Sequence, residues 1–206
     1  MTAEHDTTGS LRHHFLVASP WLADPRFHGG VIYLCEHSEE GALGLMINQP
    51  LDIHLGEILE QLDMHGGELD LPVYSGGAHG GEDTSRHGAV RHAQEPVQPE
   101  RGFVLHSPGR QWQNTARVTD EVLLTTSRDI LESIGRDEGP ESFLVALGYS
   151  GWGEGQLEEE LGSNAWLTCP ASTDILFRTP ADQRYQAVLR LMGIDLNQLS
   201  DSVGHA

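Results

Sequence analysis

The stretch that most constrains the fold of this chain lies at 148–161. Four glycines within eight residues surround Tyr149 and Trp152, and an apolar run, 143–147, leads into them. Glycine permits backbone angles and close approaches that a Cβ atom forbids. We therefore predict a tight turn packed by aromatic rings and followed by a short acidic helix. Its structural glycines are Gly148, Gly151, Gly153 and Gly155.

The rest of the pattern mixes strands and helices. β-Branched and aromatic residues at 31–35 and apolar residues at 42–47 flank a Glu-Glu-Gly turn, which predicts a hairpin. The run at 143–147 is apolar on both faces and predicts an interior strand. Helical spacing of apolar residues predicts helices at 54–64 and 181–192. Hairpins early in the chain favour an α+β class over a repeated βαβ pattern.

Charge limits the partners that the chain can take. The formal net charge is -19, and all twelve cations are arginines because lysine is absent. Such a surface repels nucleic acid and anionic membranes at long range. The one loose basic cluster, Arg86, Arg91 and Arg101, lies among acidic residues, so direct nucleic-acid binding is disfavoured.

No apolar run approaches the ~18 residues that a transmembrane helix needs. The first nine residues are polar and acidic, unlike a signal peptide, so a cytoplasmic protein is expected. Residues 1–11 are predicted to form a disordered tail. Cys35 and Cys169 each lie in an apolar stretch, which favours buried free thiols over a disulfide.

Several long motifs, spread over nearly the whole chain, resemble those of one family. They are HFLVASP at 14–20, VIY at 31–33, GALGLMIN at 41–48, RGFVLH at 101–106, GYSGW at 148–152, GQLE at 155–158 and GID at 193–195. On these motifs the chain is identified as a member of the YqgE/AlgH family from about residue 13 to residue 206.

The resemblance implies one α+β domain, here 12–206, with a bent, bifurcated sheet that forms a pseudo-barrel flanked by helices. The family consists of mostly uncharacterised bacterial proteins. One branch carries the label of transcriptional regulator, but this label is not supported by any agreed catalytic residue or DNA-binding motif. Two departures stand out: 78–95 reads as an insertion in a surface loop, and Ser150 stands where the family usually has alanine.

The polar and aromatic residues around the glycine stretch suggest a small ligand-binding cleft. Asn48 ends a predicted strand, and Tyr149 with Trp152 could line the cleft beside it. Gln156 and Glu158 would lie on the rim. The alternative is that the asparagine caps a turn and the aromatic rings fill the core, as aromatic residues usually do.

Catalytic and metal-binding patterns are weak. Ser150 lacks the second glycine of G-x-S-x-G because position 152 is Trp. The glycines at 151, 153 and 155 depart from the G-x-G-x-x-G phosphate-binding pattern. No set of histidines has ligand spacing, so neither a metal nor a cofactor is predicted. The histidines considered were His37, His106 and His205, with Glu36, and in the insertion His79, His87 and His92.

Two functions therefore remain open. The first is a non-enzymatic cytoplasmic protein with a binding or regulatory role, possible indirect transcriptional regulation included, acting through a partner protein or a small ligand. The second is an enzyme of unknown reaction, with a cleft near Asn48, His106 and the 148–158 stretch. An enzyme requires titratable groups that converge in a cleft, whereas a regulator requires only a suitable surface.

Overall fold

The computed structural model describes residues 9–19, 27–77 and 102–194, which hold eleven strands and five helices. The strands are β1 His14–Ala18, β2 Val31–Ser38, β3 Gly41–Met46, β4 Pro50–His54, β5 Pro72–Ser75, β6 Gly102–His106, β7 Thr115–Arg117, β8 Leu123–Thr125, β9 Phe143–Leu147, β10 Ser150–Gly153 and β11 Trp166–Pro170. The helices are α1 Leu55–Gln61, α2 Arg128–Gly135, α3 Gln156–Gly162, α4 Thr173–Phe177 and α5 Ala181–Leu191.

The strands form two sheets. The five-stranded sheet has the order β10-β3-β2-β1-β11, and the six-stranded sheet has the order β4-β5-β9-β6-β8-β7. Among the described strands, only β5 and β9 pair in parallel. The α+β class predicted from the sequence is confirmed, as are the β2–β3 hairpin and the interior position of β9.

Three apolar clusters pack the two sheets and the helices together. The largest contains inward side chains of both sheets, among them Phe15, Tyr33 and Leu105, together with residues of α5. A second lies on the opposite face of the five-stranded sheet and includes Trp152 and Leu157, so α3 covers that face. The third packs α1 and α2 against the six-stranded sheet.

The backbone of Gly76 joins the two sheets. Its carbonyl accepts a hydrogen bond from the Met46 N–H at 2.8 Å, and its own N–H donates to the Leu147 carbonyl at 2.7 Å. A Cβ atom on Gly76 would lie 1.9 Å from the Gly148 carbonyl oxygen, so only glycine fits there. A bent, divided sheet with flanking helices results, and within the described residues neither sheet closes into a barrel.

Some elements differ from the sequence prediction. The strands β4 and β7 and the helix α4 were not predicted, because they are short and β7 is exposed at all three residues. Pro180 is the N-cap of α5. The insertion at 78–95, residues 1–8 of the tail predicted at 1–11, and a helix predicted at 195–199 lie outside the described residues. Ser10 and Leu11 of that tail are described, and both are hydrogen-bonded to His37.

Both cysteines are buried and free, as predicted. In the part of the chain that the structure describes, no helix is long and apolar enough to cross a bilayer. Within the same ranges, no three His, Cys, Asp or Glu side chains cluster in a way that could hold a metal ion.

Candidate functional site

Asn48 is occupied in holding a turn. Its Oδ1 atom accepts a hydrogen bond from the Val31 N–H, and its Nδ2 atom donates to the Gly29 carbonyl, both at 2.8 Å. The side chain thus satisfies backbone groups where β2 begins, which is the capping alternative raised from the sequence.

His106 lies at the far end of the six-stranded sheet from the glycine stretch. In the β6–β9 register His106 faces Phe143, whereas Gly102 faces Leu147, the residue before the stretch. Four residues of extended strand separate these positions by about 13 Å. The cleft expected to contain Asn48, His106 and the 148–158 stretch therefore does not assemble around His106.

The His106 ring is enclosed and fully bonded. It is 0% exposed, its Nε2 lies 2.8 Å from Thr125 Oγ1, and its Nδ1 lies 2.9 Å from the Ser107 carbonyl oxygen. The Trp112 ring packs edge-on at 5.0 Å. Burial lowers the pKa of His106, although the hydrogen bond to Ser107 opposes this shift. A neutral histidine that is sealed in the core has a structural role here.

The glycine stretch is only partly a turn. Gly148 and Gly155 adopt left-handed backbone angles, with φ of 77° and 71°. Gly151 and Gly153, predicted to be turn glycines, instead lie in β10 and pair with Leu43 and Gly41 of β3. The prediction is corrected at these two positions because the chain becomes extended again immediately after Gly148.

Tyr149 and Trp152 separate onto different clusters. The Tyr149 ring packs edge-on against Phe103 at 5.7 Å, beside the core between the sheets. Trp152 is 7% exposed and belongs to the cluster beneath α3, 6.1 Å from the ring of Trp166. The two aromatic residues therefore do not line one cleft together.

Glu160 ties α3 to this indole pair. Its Oε2 atom accepts the Trp152 indole N–H at 2.8 Å and the Trp166 indole N–H at 2.7 Å. Its Oε1 atom accepts a hydrogen bond from Gln156 Nε2 at 3.0 Å. Gln156 in turn accepts the Gly153 N–H through Oε1 at 3.1 Å. Gln156 thus connects β10 to α3. Glu160 was not among the site residues predicted from the sequence.

Glu158 meets a histidine from the other end of the chain. Its Oε1 atom lies 2.7 Å from His37 Nε2, and the side chains are 54% and 8% exposed respectively. The backbone N–H of Glu158 has the largest effect on the pKa of this carboxyl and lowers it. Burial opposes that shift, and the His37 ring lowers the pKa further, so the net shift is downward. From the sequence, these two residues were expected in different sites.

A polar groove opens beside this pair, where the β2–β3 hairpin meets β10. Its volume is about 440 Å³, which lies within the usual range of small-molecule sites. Its lining combines one cation and two carboxylates with apolar and aromatic surface. The lining residues are Arg12, Glu36, His37, Ser38, Glu40, Gly41, Ala42, Leu43 and Trp152.

Of the residues predicted to bind ligand, Trp152 lines the groove directly and Glu158 reaches it through His37. Gln156 is linked to Trp152 by two hydrogen bonds that meet at the Glu160 carboxylate. Among the hairpin residues, Glu36 and His37 were considered only for a metal site, and 41–43 only as part of a family motif, so the groove itself was not predicted. The arginines that were considered for nucleic-acid binding and the remaining histidines that were considered as metal ligands lie outside the described residues: Arg86, Arg91, Arg101, His79, His87, His92 and His205.

The fold and the groove together define a two-sheet α+β protein with a polar cleft at a hairpin edge. A family model described as AlgH-like matches residues 15–90 and 95–197. The chain is 48% identical to a UPF0301 protein of Thioalkalivibrio sulfidiphilus, over all of both chains. It is 47% identical to a UPF0301 protein of Hahella chejuensis, over 96% of this chain and 97% of that one.

Two solved structures share the fold. The solution structure of the AlgH protein from Pseudomonas aeruginosa superposes with a TM-score of 0.72, at 41% identity over the whole of both chains. A crystal structure of a Corynebacterium diphtheriae protein gives 0.62 at 19% identity, over 87% of this chain and 85% of that one. This chain belongs to the AlgH-like family, as its motifs indicated.

Proposed function

We propose that this chain is a non-enzymatic cytoplasmic protein with a regulatory role, and that the groove beside His37 binds a small polar ligand. The observation that carries the proposal is the groove itself. It places charged, hydroxyl and aromatic side chains around about 440 Å³ of space, next to a histidine whose two ring nitrogens are both bonded.

The lining indicates the chemistry of that ligand. The Arg12 guanidinium suits a carboxylate, and the Glu36 and Glu40 carboxylates suit an ammonium group. Ala42, Leu43 and Trp152 add apolar surface. A zwitterion with a short apolar portion, such as a free amino acid, satisfies all three features. A polyanion would face two carboxylates and a chain of net charge -19.

The enzyme alternative loses support at His106. A general base must reach the proton that it abstracts. His106 is 0% exposed, and both its ring nitrogens have partners within the core. Ser150 is 3% exposed, and among the described residues its hydroxyl has no base as a hydrogen-bond partner.

A thermal-shift screen of amino acids and other small zwitterions tests the proposal. A ligand at ~100 times its dissociation constant stabilises the folded state by about 2.7 kcal/mol. We expect a shift that Arg12→Ala abolishes and that Arg190→Ala preserves, because Arg190 is an exposed arginine that does not line the groove.

The screen also separates the alternatives. A ligand whose stabilisation survives Arg12→Ala binds elsewhere and overturns the assignment of the groove. No stabilisation by any zwitterion overturns the ligand class and favours a partner protein, which a pull-down with the purified chain would then identify. Turnover of a bound ligand would restore the enzyme alternative.

A further inference from the structure

The N-terminal residues of the described chain are fastened to His37. The Leu11 N–H donates to His37 Nδ1 at 2.8 Å, and Ser10 Oγ donates to the His37 carbonyl at 3.0 Å. Ser10 Oγ also accepts the Arg12 N–H at 3.3 Å. Two consecutive residues, Ser10 and Leu11, are thus bonded to a histidine that lies more than twenty positions further along the chain, and Arg12 is connected to it through Ser10.

These contacts determine the protonation state of the ring. A backbone N–H can only donate, so His37 Nδ1 must offer a lone pair to Leu11. A carboxylate oxygen can only accept, so Nε2 must carry the hydrogen that it shares with Glu158 at 2.7 Å. His37 is therefore neutral, with its proton on Nε2.

We propose that His37 is a proton-controlled latch that holds residues 9–12 against the β2–β3 hairpin. A second proton on the ring can enter only at Nδ1, and it converts the acceptor for Leu11 into a donor. Two N–H groups then face each other at 2.8 Å, so the Leu11 hydrogen bond and the imidazolium exclude each other.

Charged side chains from several elements lie around the ring. Glu158 of α3 contacts Nε2 directly, and Glu36 and Glu40 line the same groove from β2 and the hairpin turn. The Arg12 guanidinium is the cation in that lining. An imidazolium at this position would lie among three carboxylates and one guanidinium, and it could not accept the Leu11 N–H. Proton uptake therefore competes directly with the latch.

Opening the latch alters the groove, because Arg12 is both the residue after Leu11 and the groove's cation. This consequence rests on the proposed function, since it assumes that the groove binds a ligand. Ligand retention should then fall as the medium becomes acidic. The latch itself requires no ligand, so it can be tested separately.

The decisive experiment is NMR on the uniformly ¹⁵N-labelled, ligand-free protein. Long-range ¹H–¹⁵N spectra follow the protonation of His37, and hydrogen exchange gives the protection factor of the Leu11 amide after correction for intrinsic exchange. We expect Leu11 protection to fall about threefold to tenfold as His37 is protonated, the change that loss of one net hydrogen bond corresponds to. The Ala171 amide, bonded to the His13 carbonyl, serves as the internal reference.

Variants make the test specific. His37→Gln cannot titrate, so its Leu11 protection should not depend on pH, whereas the exposed control His28→Gln should behave like the wild type. In Glu158→Gln the ring titration and the loss of Leu11 protection should still share one midpoint. Undiminished Leu11 protection on a protonated His37 ring, or two separate midpoints in the wild type or in Glu158→Gln, would overturn the proposal.

Discussion

The carboxylate of Glu160 offers the sharpest test of how α3 is held, through the substitution Glu160→Ala. One oxygen of this side chain serves two indole N–H groups at 2.8 and 2.7 Å. The indoles belong to Trp152 and Trp166, which are 7% and 3% exposed. The substitution removes their common acceptor and leaves two nearly buried donors without a protein partner.

The expected loss of stability in Glu160→Ala can be calculated from these two indole donors. A buried donor that loses its partner costs about 1–3 kcal/mol. Because Glu160 itself is only half-buried, water can reach the vacated space and the lower part of that range applies. We expect Glu160→Ala to lower the free energy of unfolding by about 2–3 kcal/mol, which corresponds to about 4–12 °C in Tm for a chain of this size.

Urea denaturation followed by tryptophan fluorescence and by far-UV circular dichroism measures this loss. Glu160→Gln should cost only about 1 kcal/mol, because its carbonyl oxygen still accepts while the charge assistance is lost. Glu159→Ala is the matched control, an exposed glutamate on the same helix with the same change in charge and helix propensity. The proposed role of the Glu160 carboxylate is refuted if Glu160→Ala loses no more stability than Glu159→Ala, or if Glu160→Gln loses as much stability as Glu160→Ala.

Three further predictions concern buried positions. Gly76→Ala should lower the free energy of unfolding in urea by about 3 kcal/mol, because its Cβ would lie 1.9 Å from a backbone carbonyl oxygen. The control Gly102→Ala places its Cβ in open space and should leave stability unchanged or raise it. Equal losses of stability in the two variants would contradict this prediction. Ser150→Ala should stabilise by about 1 kcal/mol, because among the described residues the Ser150 hydroxyl is buried without a partner; a loss of stability would reveal an undetected bond. Burial lowers the folded-state pKa of His106, so its contribution to stability is complete above its unfolded pKa of about 6.5 and is lost as the pH falls. In His106→Asn, the free energy of unfolding should therefore decline less steeply between pH 7.5 and 5.5 than in the wild type. The control His28→Gln should keep the wild-type slope. An unchanged slope in His106→Asn would show that His106 is not the source of this pH dependence.

The sequence predicted the elements whose signal is local. The strands β2 and β9 carry uninterrupted apolar runs, and α5 carries helical spacing over eleven residues, so each could be recognised from its own residues. By contrast, β7 has three exposed residues and exists only because it pairs with β8. The sequence of a strand that is stabilised by pairing with its neighbour therefore shows no hydrophobic periodicity that could predict it.

The candidate site was harder to predict because its contacts span the chain. His37 and Glu158 are 121 residues apart, and no local pattern shows that they touch. The glycine stretch was recognised as a special segment, yet its middle became an edge strand because β3 offered it a partner. Asn48 and His106 were noticed for their polarity, and the structure shows that core and capping bonds explain that polarity.

The peptide units of Gly76 have a consequence for how the molecule unfolds. The contacts that Gly76 makes bring together positions 46, 76 and 147, so its bonds close loops of thirty and about seventy residues. Closing such loops is entropically costly and tends to be completed late in folding. Because Gly76 is hydrogen-bonded to β3 in one sheet and to β9 in the other, separating the two sheets breaks one of these two hydrogen bonds. The amides of the two sheets should therefore share one global opening event in native-state hydrogen exchange, and the protein should behave as one cooperative unit despite its divided sheet.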